Sequence, residues 1–145
     1  MDTYFDLGGY SFPVTTQSTE AQKWFDRGIL WTYGYNHEEA VICFERAIDA
    51  DPKCAMAYWG AGYASGPNYN MPWDLFDYAG RAAAARAGYA HARKALDMID
   101  GVTRWEAALI NALPARYPQP EPLDPEPMKS WNVDFADAMR DAYAA

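Results

Sequence analysis

The sequence predicts an all-α protein of about six helices arranged as antiparallel pairs. Three observations carry that expectation. Residues that favour helix starts stand at Ser18, Asn36, Asp51, Thr103 and Asp124, each ahead of a run with apolar residues at three- and four-residue steps. The stretch Asn36 to Pro52 has a complete start, face and stop: Asn36 with Glu39 makes a capping-box pattern, Ala40, Cys43, Phe44, Ala47 and Ile48 share one side, and Pro52 cannot continue the ladder. The pattern then recurs, because Tyr58 and Gly62 stand 34 residues after Trp24 and Gly28.

Trp24, Gly28, Trp31, Ala40, Phe44, Ala47 and Pro52 fall at the spacing of one known motif, and on these residues the chain resembles the tetratricopeptide repeat (TPR) family. Arg27 departs from it, where the family usually has leucine. The physical content of the motif is that Gly28 and Ala40 let two helices approach closely while Trp24, Trp31 and Phe44 fill the space beside them. The general layout is similar to the N-terminal part of larger bacterial proteins containing such repeats. The resemblance implies a superhelix whose first helices line a concave binding surface.

Taken in order, residues 1–17 mix glycine, proline and aromatics without a period and read as an extended arm packed on the first helix pair. The helical domain spans 18–145, with repeats at about 21–54, 55–101 and 102–145. Ser18 caps a helix from Thr19 to Tyr33, ended by Gly34, and the next runs from His37 to Ala50. Asp51 with Pro52 is expected to open a third helix reaching Gly66. An inserted loop, 66–78, separates it from its partner and holds one short turn at Pro72–Phe76 capped by Asn70. Thr103 and Glu106 form another capping box for a helix to Arg116. Five prolines in the eleven residues from Tyr117 to Pro127 enforce an extended connection, and Asp124 and Pro125 open a last helix faced by Trp131, Phe135, Met139 and Tyr143. A repeat array that ends on such an apolar stripe reads as part of a longer chain or as covered by a partner.

Composition narrows the function classes. Half of the 145 residues are hydrophobic and 16% are aromatic, enough for a core, and the net charge of −8 disfavours nucleic acid and anionic membrane surfaces. No run of apolar residues is long enough to span a bilayer and no leader pattern opens the chain, so a soluble, cytoplasmic protein is expected. Cys43 and Cys54 lack metal-like spacing and are expected to be reduced.

Two candidate sites follow. The TPR resemblance directs Gln22, Phe25, Ile29, Thr32 and Tyr33 from the first helix and Met56, Trp59 and Tyr63 from the third toward the concave face. Phe25, Ile29, Met56 and Trp59 hold the places where carboxylate-clamping members of the family carry Lys, Arg and Asn, so an aromatic groove for a peptide or partner domain is expected instead. The inserted loop offers Asn68, Tyr69, Asn70 and Trp73, polar groups and flat apolar surface of the kind that bind small molecules or serve an enzyme. His37 and Glu38 point in different directions on a helix, so no metal is expected, and no cofactor motif or nucleophile arrangement is present. Self-association is a third reading.

Overall fold

Six α-helices and three short 3₁₀ turns form the regular structure of this computed structural model, which describes residues 3–145. The helices are α1 (Thr19–Tyr33), α2 (His37–Ala50), α3 (Ala55–Ser65), α4 (Tyr78–Leu96), α5 (Arg104–Ala112) and α6 (Pro125–Ala144). The 3₁₀ turns lie at Trp73–Leu75, Ile99–Gly101 and Leu113–Arg116. Among the described residues there is no strand, only an isolated bridge between Asn68 and Met71.

The first two helices start and stop where their cap residues dictate. Ser18 accepts a hydrogen bond from the Ala21 N–H, and the Gly34 N–H closes α1 on the Leu30 carbonyl. Asn36 accepts from the Glu39 N–H, and Glu38 and Glu39 sit in the first turn of α2 where the helix dipole favours them. Only Gly34, Tyr35 and Asn36 join two packed helices, so α1 and α2 run antiparallel. Tyr35 takes the left-handed conformation, φ 61°, to make that turn.

Three elements differ from expectation. α3 begins at Ala55, three residues after Pro52, because Asp51 is already committed to a turn: its carboxylate accepts from the Lys53 N–H and its carbonyl from the Cys54 N–H. The 3₁₀ turn in the insertion has Pro72 rather than Asn70 ahead of it, and Asp77 caps α4 by accepting from the Gly80 N–H, which starts that helix at Tyr78. Likewise α5 stops at Ala112 and tightens to 3₁₀ as it takes in Pro114.

The core is organised by two rings lying on glycines. Phe44 of α2 is buried between Gly28 of α1 and Gly60 of α3; a Cβ at Gly28 would sit 2.5 Å from its ring, and one at Gly60 closer still. Tyr117 is fully buried beside Gly66 and Gly88 and donates a 2.7 Å hydrogen bond to the Gly62 carbonyl. Gly60 and Gly62 thus give α3 close neighbours on two sides: Phe44 on one, and Leu113, His91 and Ala92 on the other. Trp24 and Trp31 are half-buried and pack against the core beside this contact, where Tyr4 stacks edge-on against Trp24 and Phe5 against Trp31.

Residues 3–17 precede the first helix as an arm without regular secondary structure; Met1 and Asp2, the start of the expected 1–17 arm, lie outside the described residues. The arm ties distant helices together. Tyr4 Oη receives the Trp31 Nε1–H and donates to Glu39, both at 2.6 Å, while Thr16 donates to Asp51. Thr15 donates to Glu106 of α5 from both its N–H, at 2.7 Å, and its hydroxyl, at 2.6 Å. Glu106 also accepts from the N–H and hydroxyl of Thr103, so one buried carboxylate both starts α5 and fastens the arm. Burial raises its proton affinity, but these four hydrogen bonds outweigh that and hold its pKa below the usual value.

The remaining elements close the core. Met128 and Trp131 of α6 are buried, Trp131 edge-on to Trp73, while Phe135 and Met139 are half-buried. Tyr143, expected on the same face, is 95% exposed.

Phe44→Ala is expected to lower unfolding free energy by about 4 kcal/mol, and Gly60→Ala by about 2 kcal/mol because the ring has little room to retreat. Urea titration checks both. Glu106 contributes stability that is fully present above the ordinary glutamate pKa of about 4.3 and is lost as pH falls through its lower folded value. Glu106→Ala should therefore destabilise by about 3 kcal/mol at pH 7 and by clearly less at pH 3.

Candidate functional site

Three cavities adjoin, each sharing lining residues with the next. The first, about 180 Å³, lies between Tyr10 and Phe12 of the arm, Ile29, Thr32 and Tyr33 of α1, Trp59 and Tyr63 of α3, Leu109 and Met139. The second, about 220 Å³, shares Thr32, Tyr33 and Tyr63 with it and adds Tyr35, His37, Pro67, Asn68, Tyr69 and Arg116. The third and widest, about 550 Å³, shares Tyr35, His37 and Asn68 with the second and reaches Glu38, Ser65, Asn70 and Phe76. Together they form a trough that is apolar at the arm end and polar toward the insertion.

The predicted groove residues divide. Ile29, Thr32, Tyr33, Trp59 and Tyr63 line the trough. Phe25 and Met56 do not: both are fully buried, Phe25 against the Phe44 ring, because the helices pack more tightly over the glycine contacts than an open concave surface allows. Gln22 is taken up by the arm, accepting from the Val14 N–H and donating to the Phe12 carbonyl and Asp26. Trp59 is nearly buried, stacked on Tyr63 at 5.2 Å and donating to the Leu109 carbonyl, so it forms a wall rather than a free anchor.

The loop residues divide as well. Asn68 and Tyr69 line the middle cavity and Asn70 the widest. Trp73 is not available to a ligand; it is 1% exposed between Phe76 and Trp131, and it anchors the insertion. Asn68 folds the loop on itself, its side-chain oxygen accepting from the Asn70 and Met71 N–H groups. That leaves its amide N–H₂ without a hydrogen-bond partner among the described residues.

Two buried arginines fasten the insertion at its ends, and neither was legible in the sequence. Arg81 donates to the carbonyls of Phe76 and Leu123. Arg116 donates to the carbonyl of Tyr63, at 3.1 Å, and to that of Pro67, which places a cation at the C-terminus of α3 where the helix dipole favours it. Its guanidinium also lies over the rings of Tyr63 and Phe135, about 5 Å from each. Lone arginines are ordinarily solvated, so only the fold reveals that Arg116 is 6% exposed and lines the middle cavity. His37 faces the same cavity. Burial, joined by the positive charge of Arg116, holds its pKa below the usual histidine value against an opposing hydrogen bond that the imidazole donates to the Tyr35 backbone, so the imidazole is neutral at pH 7.

Cys43 and Cys54 are free and buried, and burial is the main cause that raises both thiol pKa values, that of Cys54 to about 11. Among the described residues no group of His, Cys, Asp and Glu is placed to hold a metal ion, and no helix is long and apolar enough to cross a membrane. No family model, curated protein or solved structure matches the chain.

The two histidines give the fold a measurable pH response. His91, packed against α3, also has its pKa lowered, chiefly by burial, with Glu45 opposing. Both imidazoles bind a proton more readily in the unfolded chain, so the stability they contribute is intact above about pH 6.5 and declines as pH falls below it. Urea titrations between pH 7.5 and about 5 should show that decline, and the double substitution His37→Gln with His91→Gln should flatten it.

Proposed function

We propose that this protein is a protein-interaction module, a TPR-like helical array that takes an extended peptide segment along its trough. The observation that carries this reading is the continuity of the three cavities, each sharing walls with the next, from Tyr10 to Phe76. An elongated channel suits a chain more than a compact ligand. Its rim adds to the argument: Tyr33 is 79% exposed and Tyr69 91% exposed, and large, rigid tyrosines left in water around a concave surface are typical anchors for a partner. Two free, buried cysteines fit a reducing compartment such as the cytoplasm.

A second reading has its own support. Asn68, Tyr69, His37 and Arg116 converge on the middle cavity, and that combination of flat surface and convergent polar groups also suits a small molecule or an enzymatic role within a longer chain.

Selection from a phage-displayed random dodecapeptide library tests the first reading. Selected peptides should lose about tenfold in affinity on Tyr33→Ala or Tyr69→Ala, with no change in thermal unfolding because both rings are solvated. Affinity that survives both substitutions, or a library yielding no binder, overturns it, and a fragment screen by NMR with shifts confined to Asn68 and His37 would favour the second.

Tyr35 supplies a separate test. Releasing its left-handed strain gains about 1–2 kcal/mol, which offsets the roughly 0.5–1 kcal/mol of extra chain entropy that glycine brings. Tyr35→Gly should therefore leave the unfolding midpoint unchanged or raised while weakening the selected peptides.

A further inference from the structure

We infer that the middle cavity of the trough is a subsite for an acidic side chain of the bound peptide, with the neighbouring arm-end cavity taking an apolar side chain beside it. The inference rests on the peptide reading above and specifies what sequence that peptide carries.

The argument begins with the charge of Arg116. A guanidinium withdrawn from water carries a large desolvation cost unless a counter-charge accompanies it. Arg116 is almost wholly buried, yet no carboxylate pairs with it among the described residues. Two carbonyls and the faces of Tyr63, Tyr117 and Phe135 surround it, and its Nε has no acceptor. Its role as a clasp on the insertion accounts for the two carbonyls. It does not account for a cation left without an anion on the wall of an open cavity.

The other groups on that cavity are consistent with an anion. The Asn68 amide N–H₂ is unengaged, the hydroxyl of Thr32 is turned back to the Gly28 carbonyl, and the remaining lining is Tyr33, Tyr35, Tyr63, Tyr69, Pro67 and neutral His37. No Asp or Glu lines it. Glu38, the one acid of the adjoining wide cavity, opposes a negative group there and leaves the middle cavity as the favoured seat. On the other side, Phe12, Ile29, Trp59, Leu109 and Met139 offer an apolar socket. At about 220 Å³ and 180 Å³, both chambers are below the roughly 300 Å³ at which pockets begin to hold drug-sized ligands. Each therefore admits a single side chain. The recognised unit is an apolar residue next to an aspartate or glutamate, whose carboxylate supplies the counter-charge that Arg116 lacks and can accept from the Asn68 amide.

The library selection gives the test. Selected peptides should be enriched in an apolar residue adjacent to Asp or Glu, and a synthetic peptide with that Glu replaced by Gln should bind about tenfold more weakly. Against Arg116→Met the Glu and Gln peptides should bind alike. If that variant fails to fold, the Glu-to-Gln comparison on the native protein decides alone. Binders without acidic enrichment, or equal affinity of the two peptides, overturn the inference and leave the peptide reading standing; failure to select any binder removes both.

Discussion

The fold depends on one phenylalanine ring pressed between two glycines. Phe44 touches α1 at Gly28 and α3 at Gly60, at separations that leave no room for a methyl group on either side. A ring held between two bare backbones fixes the separation of three helices at once, and tight packing means that no member can move without opening a void or forcing an overlap. Tyr117 repeats the device deeper in the chain, with Gly66 just past α3 and Gly88 of α4 beside it and its hydroxyl satisfied by a carbonyl of α3. The helices of this protein are thus spaced by aromatic rings over glycine rather than by interlocking aliphatic side chains.

Polar groups then decide which segments accompany the helices. Glu106 and Tyr4 both find partners outside their own elements: Thr15 of the arm reaches Glu106, and Tyr4 reaches Trp31 and Glu39. The arm is held by these hydrogen bonds and by ring contacts rather than by any secondary structure of its own. The insertion between α3 and α4 is treated the same way, with Trp73 sunk into the core and buried arginines binding carbonyls at both ends. A long connection in a small domain can be ordered when its backbone acceptors find such donors.

The trough is a consequence of these attachments. Its walls come from the arm, from α1 and α3, from the Tyr35 turn, from the insertion, from the 3₁₀ turn carrying Arg116 and from α6. The aromatic part takes in Tyr33, Trp59 and Tyr63, which the TPR resemblance directed to a groove. The polar part, where a cation, a neutral imidazole and an amide meet, exists only because the insertion folds back over the end of α3.

The sequence by itself determined the helices and much of their order. Local chemistry sets a cap, so Ser18, Asn36 and Gly34 placed the ends of α1 and α2 without reference to the rest of the chain. Periodicity likewise put Phe44 and Ala47 on the buried face. What tertiary structure decided was every matter that turns on what lies opposite a residue. Phe25 and Met56 went into the core while Ile29 and Tyr33 went to the trough, although the TPR resemblance directed all four to one concave face. Asp51 closed a turn instead of capping α3, because its acceptors found Lys53, Cys54 and Thr16 first. Arg116 became a buried cation because the carbonyls of Tyr63 and Pro67, some fifty residues earlier, lie where its side chain ends. Spacing along a chain reports which residues share a face; it carries no information about the distance between faces, and that distance is what makes a site.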